Sequence, residues 1–194
     1  LFLAPLTAPA QAESSCSAVS QNRMERIWLA QLAPPSLVEQ FEAPKLLQGP
    51  PDPGPIDPGE VRLHYTGHGG VVIIASDGTI AVTDYNGIPG ITYIVPDVVT
   101  MNDTVPLQKT DDPDPRIPLV LQGWPDAQGK PAVHDLRVGS MLVRNVTTNT
   151  RGAAGQGMRV GGNSIFIFET EGLCIGHLGF LHVMPNDETF ARIG

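Results

Sequence analysis

Residues 70–83, GVVIIASDGTIAVT, constrain the fold more than any other stretch of the chain. Gly70–Ala75 is a short, unbroken apolar run dominated by Val and Ile. Such a run suits a strand buried on both faces rather than one face of a helix. Ser76-Asp77-Gly78 follows as a tight-turn sequence in which Gly supplies a positive φ. Residues 79–83, TIAVT, then return antiparallel. The pattern recurs further on: residues 164–169 read SIFIFE, Thr170-Glu171-Gly172 turns the chain, and residues 173–176 return. Hairpins separated by loops, with few helices among them, predict an α+β fold built on mostly antiparallel or mixed sheet.

The remaining chain divides around these hairpins. Residues 61–65 alternate apolar and polar and predict a strand, and residues 118–122 and 140–147 predict two more. Residues 91–95 and 97–101 are weaker strand candidates separated by Pro96. Residues 111–118, DDPDPRIP, read as an acidic, proline-broken loop, and residues 148–162 as a Gly-rich surface loop. His134-Asp135 falls in a loop on this reading. Pro185-Asn186-Asp187-Glu188 predicts a helix start, capped by Asn186 or Asp187. Upstream, Met24, Ile27, Trp28, Gln31 and Leu32 have helical spacing within residues 20–32, which Pro34-Pro35 terminates. Residues 36–41 predict a further helical turn capped by Ser36. The six prolines of residues 43–59 demand an extended linker. Residues 13–59 therefore form an N-terminal arm, and the folded domain is expected over residues 60–194.

Charge narrows the functional classes. The net charge is −8 with only 12 Lys and Arg among 194 residues. A basic footprint for nucleic acid is missing, and so is a polybasic patch for an anionic membrane. Residues 1–12, LFLAPLTAPAQA, resemble the end of a secretory signal, with Ala10-Gln11-Ala12 as the small-x-small cleavage pattern. A basic stretch before the apolar run is missing, so the numbered chain would begin inside that signal. A periplasmic or secreted location follows as the expectation. Glu13-Ser14-Ser15 before Cys16 does not match a lipoprotein signal. Cys16 and Cys174 are the only cysteines. Export would allow them to pair, but the apolar run LCIGHLGFL favours Cys174 as a small buried hydrophobe. Asn145-Val146-Thr147 matches a glycosylation acceptor. The glycines of residues 152–162 form no GxGxxG between a strand and a helix, and there is no GxSxG.

Two segments resemble the metallo-β-lactamase superfamily, in particular its ascorbate-6-phosphate-lactonase-like zinc hydrolases. They are residues 61–87, VRLHYTGHGGVVIIASDGTIAVTDYNG, and residues 162–194, GNSIFIFETEGLCIGHLGFLHVMPNDETFARIG. The resemblance implies half of an αββα sandwich, a partial domain with no counterpart to the family's C-terminal half. It also implies where metal ligands should sit. In the family a "pDvV" strand leads into a THxHxDH loop. Here Pro96-Asp97-Val98-Val99-Thr100 leads into Met101, Asp103, Val105 and Pro106 at the positions of the three histidines and the aspartate. Only Asp103 among them suits a hard or borderline metal. Residues 143–151 lack the family's next histidine. Phe180 follows His177-Leu178-Gly179 where the family places a bridging carboxylate.

The resemblance thus implies the scaffold without its ligand set, and Phe180 is expected to fill the vacated interior with an apolar ring. His68, in Thr66-Gly67-His68-Gly69-Gly70, is expected to be a turn histidine, and Asp84 a strand-end carboxylate that orders the site loops. His68, Asp84, Asp103, His177 and His182 make up the candidate residual site. The leading expectation is a non-catalytic extracytoplasmic accessory subunit without a cofactor. It would bind a protein partner or larger complex, one that can itself be membrane-associated, with Trp28 and Phe41 of the arm as anchors. The alternative is a divergent zinc hydrolase drawing ligands from the residual site.

Overall fold

A computed structural model describes residues 14, 16, 54–90, 94–152 and 155–194. The expected helices at 20–32 and 36–41, with Trp28 and Phe41, lie outside the described residues, as do residues 91–93.

The described residues form a five-stranded sheet followed by a four-stranded sheet. The first contains β1 (Val61–Gly67), β2 (Gly70–Ala75), β3 (Ile80–Val82), β4 (Val98–Met101) and β5 (Leu119–Gln122), in sequence order. β1, β2 and β3 pair antiparallel, while β3–β4 and β4–β5 pair parallel. The second contains β6 (Asp135–Val138), β7 (Met141–Arg151), β8 (Met158–Thr170) and β9 (Leu173–His177), all antiparallel. A short helix, α1 (Asp187–Ile193), follows with Asn186 as its N-cap. This is an α+β, mostly β architecture with one mixed and one antiparallel sheet.

Side-chain alternation explains why the strands that looked unbroken in sequence are buried on both faces. Ile73, Ala75, Ala81, Val98 and Leu121 on one face of the first sheet pack against Met141, Val143, Phe166 and Phe168 of the second. The intervening Val72, Val82, Val99 and Met101 form a separate cluster on the outer face with Tyr85 and Ile117. On the second sheet, Val146, Ile165 and Ile167 face outward and are covered by Cys16, Leu181 and Ile193 of α1. The central strands β2, β3, β4, β5, β7 and β8 thus contribute alternately to two apolar layers.

The predicted turns form as expected from their local chemistry. Gly78 has φ 89°, and Asp77 accepts from the Thr79 amide at 2.9 Å. Glu171 and Gly172 take φ 51° and 73° between β8 and β9, the paired left-handed conformations of a two-residue hairpin loop. The two turns meet: Ser76 Oγ donates to Glu171 Oε1, and the Gly59 amide to Glu171 Oε2 at 2.8 Å.

The structure also corrects several sequence expectations. Residues 148–162 are not a surface loop, because β7 runs on to Arg151 and β8 starts at Met158. Its many small residues hid a hairpin extension that includes a register shift between Thr148 and Thr150. Asp135 opens β6 rather than lying in a loop, and Ile94 and Val95 are not in a strand. Cys174 is exposed on the edge strand β9 and forms a disulfide with Cys16, so it is not a buried thiol. Asn145 is no open glycosylation acceptor: its Nδ2 donates to Ser164 Oγ at 2.8 Å and to the Ala132 carbonyl at 3.0 Å.

Candidate functional site

Parallel pairing of β3, β4 and β5 delivers the ends of two of these strands, at Thr83-Asp84 and Asn102-Asp103, to one edge of the first sheet. The end of β9 with His177 meets them from the second sheet. The junction is Asn102, which is fully buried. Its Nδ2 donates to the Ser164 carbonyl at 2.7 Å and the His177 carbonyl at 3.2 Å, while its own carbonyl accepts from the Ser164 amide at 3.1 Å. Asn163 plays the matching part from the second sheet. Its Oδ1 accepts from the Phe180 amide at 2.8 Å and its Nδ2 donates to the Leu178 carbonyl at 3.1 Å. Gly179, at φ 59°, completes this turn, and a Cβ there would come within 2.3 Å of Asn102 Cβ. The turn therefore needs glycine for both conformation and space.

Asp84 is buried and left-handed, with φ 47°. Such a backbone conformation is uncommon in a non-glycine residue, although Asp adopts it more readily than most, and it concentrates at functional sites. Burial pushes its carboxyl up to about 7, against an opposing backbone hydrogen bond from Asn102, and the neighbouring Asp103 charge adds to the rise. Asp84 Oδ2 lies 3.7 Å from His177 Nε2, and Oδ1 has no hydrogen-bond partner among the described residues. Burial holds His177 below its ordinary value, opposed by its bond to the Gly69 carbonyl. Nε2 donates that bond at 2.9 Å, and Nδ1 lies 3.3 Å from Asn102 Oδ1. Asp84 and His177 are thus neighbours that both favour their neutral forms.

The other candidate residues separate from this pair. Asp103 is buried but turns its Oδ1 to the Arg159 guanidinium, 2.7 Å away. His68 is exposed in the β1–β2 turn at φ 49°. His182 is exposed and accepts from Arg151 Nε at 3.2 Å. Met101 belongs to the outer apolar cluster, where its Sδ accepts from the Thr110 amide at 3.3 Å. Phe180 does not fill the interior: it is 44% exposed. Fixed by Gly179 and Asn163, it lies outward and lines a cleft of about 430 Å³ with Val105, Pro106, Thr150 and Arg159. Asn102, Asn163 and Arg159 escaped the sequence reading. Asn102 and Asn163 each adjoin a buried strand run, a placement that signals a satisfied polar clamp. Arg159 lay in a segment read as loop, and nothing local marks it.

These residues do not fit a zinc ion. A zinc site needs three or four side-chain donors converging tetrahedrally. Among the described residues, the group of three His, Cys, Asp or Glu donors that lie within 4.8 Å of one another is Cys16, Glu169 and Cys174. Both sulfurs of that group are spent in the disulfide. Asp84, Asp103 and His177 do not converge in this way.

No curated protein matches the chain. A solved structure of a metallo-beta-lactamase superfamily protein from Thermotoga maritima aligns at 18% identity with a TM-score of 0.44, covering 70% of this chain and 57% of that one. A protein assigned as a metal-dependent hydrolase from Parabacteroides distasonis aligns at 11% identity and a TM-score of 0.43, covering 62% of this chain and 60% of that one. The chain thus spans under two thirds of the length of each. Residues 62–194, more than half of the chain, match the family model of the beta-lactamase superfamily domain, and the chain belongs to that family.

Proposed function

We propose that this chain is a non-catalytic member of the superfamily, acting outside the cytoplasm as an accessory protein that binds a protein partner. The observation that carries the reading is the fate of the loop after β4. Met101 is in the core, Asp103 is ion-paired, and Val105 and Pro106 offer no donor. A hydrolytic metal must polarise a bound water, and without three converging ligands it is neither held nor oriented. The Cys16–Cys174 disulfide supports an oxidising compartment. Leu178, Val183, Met184 and Phe190 expose apolar surface along the segment from β9 through α1, which supports partner binding over a purely solvated role. Metal analysis of protein purified without chelator tests this. The expected content is well below one zinc per chain, with no lactone or phosphodiester hydrolysis on adding zinc. Stoichiometric zinc together with turnover would overturn the proposal.

A second reading is a divergent hydrolase, and the buried Asp84–His177 pair favours it. It requires turnover that falls on both Asp84→Asn and His177→Gln while the fold is retained. Any turnover that survives both substitutions counts against it.

A further inference from the structure

We propose that the Arg159 guanidinium has taken over the structural duty of a metal ion, serving as the built-in cation that holds the loop after β4. This rests on the metal-free reading above, and its test separates the two. Arg159 projects from β8 to two acceptors across the sheet junction and to a third on its own strand. Nη1 donates to Thr104 Oγ1 at 2.5 Å, and Nη2 donates to Asp103 Oδ1 at 2.7 Å and to the Gly162 carbonyl at 2.9 Å. Asp103 Oδ1 also accepts from the Val105 amide at 3.2 Å, so the arginine and the backbone pull one carboxylate oxygen into one geometry. A planar, permanently charged fork is preorganised to bridge separate acceptors in this way, whereas a compact ammonium on a flexible stem is not.

Two further features show that the position is built rather than incidental. Asp103 has a side chain only 2% exposed, and a carboxylate that buried is tolerated when a cation is supplied. Gly162 leaves the room: a Cβ there would stand 2.3 Å from Arg159 Nε. The family resemblance also puts Asp103 at a ligand position of the metal loop, so on that resemblance the guanidinium is bound by a residue that would otherwise face the ion. A metal and this arginine are therefore alternative partners for Asp103.

The test is a double-mutant cycle read by thermal unfolding, on Asp103→Asn, Arg159→Met and the double variant, with Arg159→Lys as a milder companion. Each single substitution is expected to lower Tm by several degrees, and the double variant by clearly less than their sum. Arg159→Lys should recover only part of the loss. Arg159→Ala offers a second readout: millimolar methylguanidinium should raise its Tm by more than it raises that of the wild type. If Arg159→Met fails to fold, the cycle is run with Arg159→Lys. Additive losses with no guanidinium rescue would overturn the proposal even in a zinc-free protein. A wild-type Tm that drops on adding EDTA, with zinc released, instead overturns the metal-free reading beneath it.

Discussion

Breaking the disulfide should be the most costly single covalent change to this domain. Cys16 and Cys174 are separated by 158 residues, and the loop they close contains nearly all of both sheets. The chain-entropy relation for a closure of that length gives about 5 kcal/mol at 25 °C, the upper end of what disulfides contribute. Typical domain stabilities are only about 5–15 kcal/mol, so reduction should remove a large share of the total. Part of the anchoring survives reduction. Ser14 Oγ still donates to Glu169 Oε1 at 2.6 Å, and Cys16 still packs on Val146, Ile165 and Ile167. The realised loss should therefore fall below the entropic ceiling, at about 3–4 kcal/mol. The assay is equilibrium guanidinium unfolding of the oxidised protein, of the protein in reductant, and of Cys16→Ser/Cys174→Ser. The oxidised midpoint should be the highest, with the other two curves coinciding. Superimposable curves in all three states, or two free thiols titrated in the native protein, would refute the reasoning.

Other perturbations follow from the site. Asp84 has a folded-state carboxyl near 7 against an ordinary 3.8, so the fold holds a proton that the unfolded chain has already lost between those values. The associated stabilisation is complete below the lower value and disappears as pH rises through the upper one, a span on the order of 4 kcal/mol. Asp84→Asn should flatten that decline, as urea unfolding at pH 5 and pH 8 will show; an unchanged slope counts against the buried neutral carboxyl. Asn102→Ala should cost about 2–4 kcal/mol, since it leaves the buried Ser164 and His177 carbonyls without their donor, and a calorimetric loss under 1 kcal/mol would contradict the clamp. Phe180→Asp should cost no more than about 1 kcal/mol because the ring is half exposed, and a collapse of Tm would place Phe180 in the interior after all.

How much was legible in advance depended on how local the cause was. The run Gly70–Ala75 is a strand in sequence and in structure because its own residues demand burial on both faces. The turns at Asp77-Gly78 and Glu171-Gly172 and the cap at Asn186 are likewise set by neighbours within a few residues. Membership of the superfamily could be read from residue types alone. Asp84 was recognised as a strand-end carboxylate, but its elevated carboxyl comes from burial against residues far away in the chain.

The remaining features depended on which surfaces meet. Cys174 sits in an apolar sequence, yet an edge strand has no neighbour on one side, so its sulfur is exposed and reaches Cys16 across 158 residues. The resemblance put Phe180 in the interior, but Gly179 and Asn163 fix a turn that sends it outward. The β7–β8 hairpin extension was hidden by small residues, whose pairing is decided by cross-strand register rather than by propensity. Within that hidden strand stood Arg159, whose place beside Asp103 exists only once the two sheets are packed. Sequence alone determined the hairpins and the scaffold, because those are short-range patterns and residue identities. Only the tertiary structure decided the disulfide, the exposed phenylalanine and the arginine beside Asp103, because each is a contact between segments that the chain itself keeps far apart.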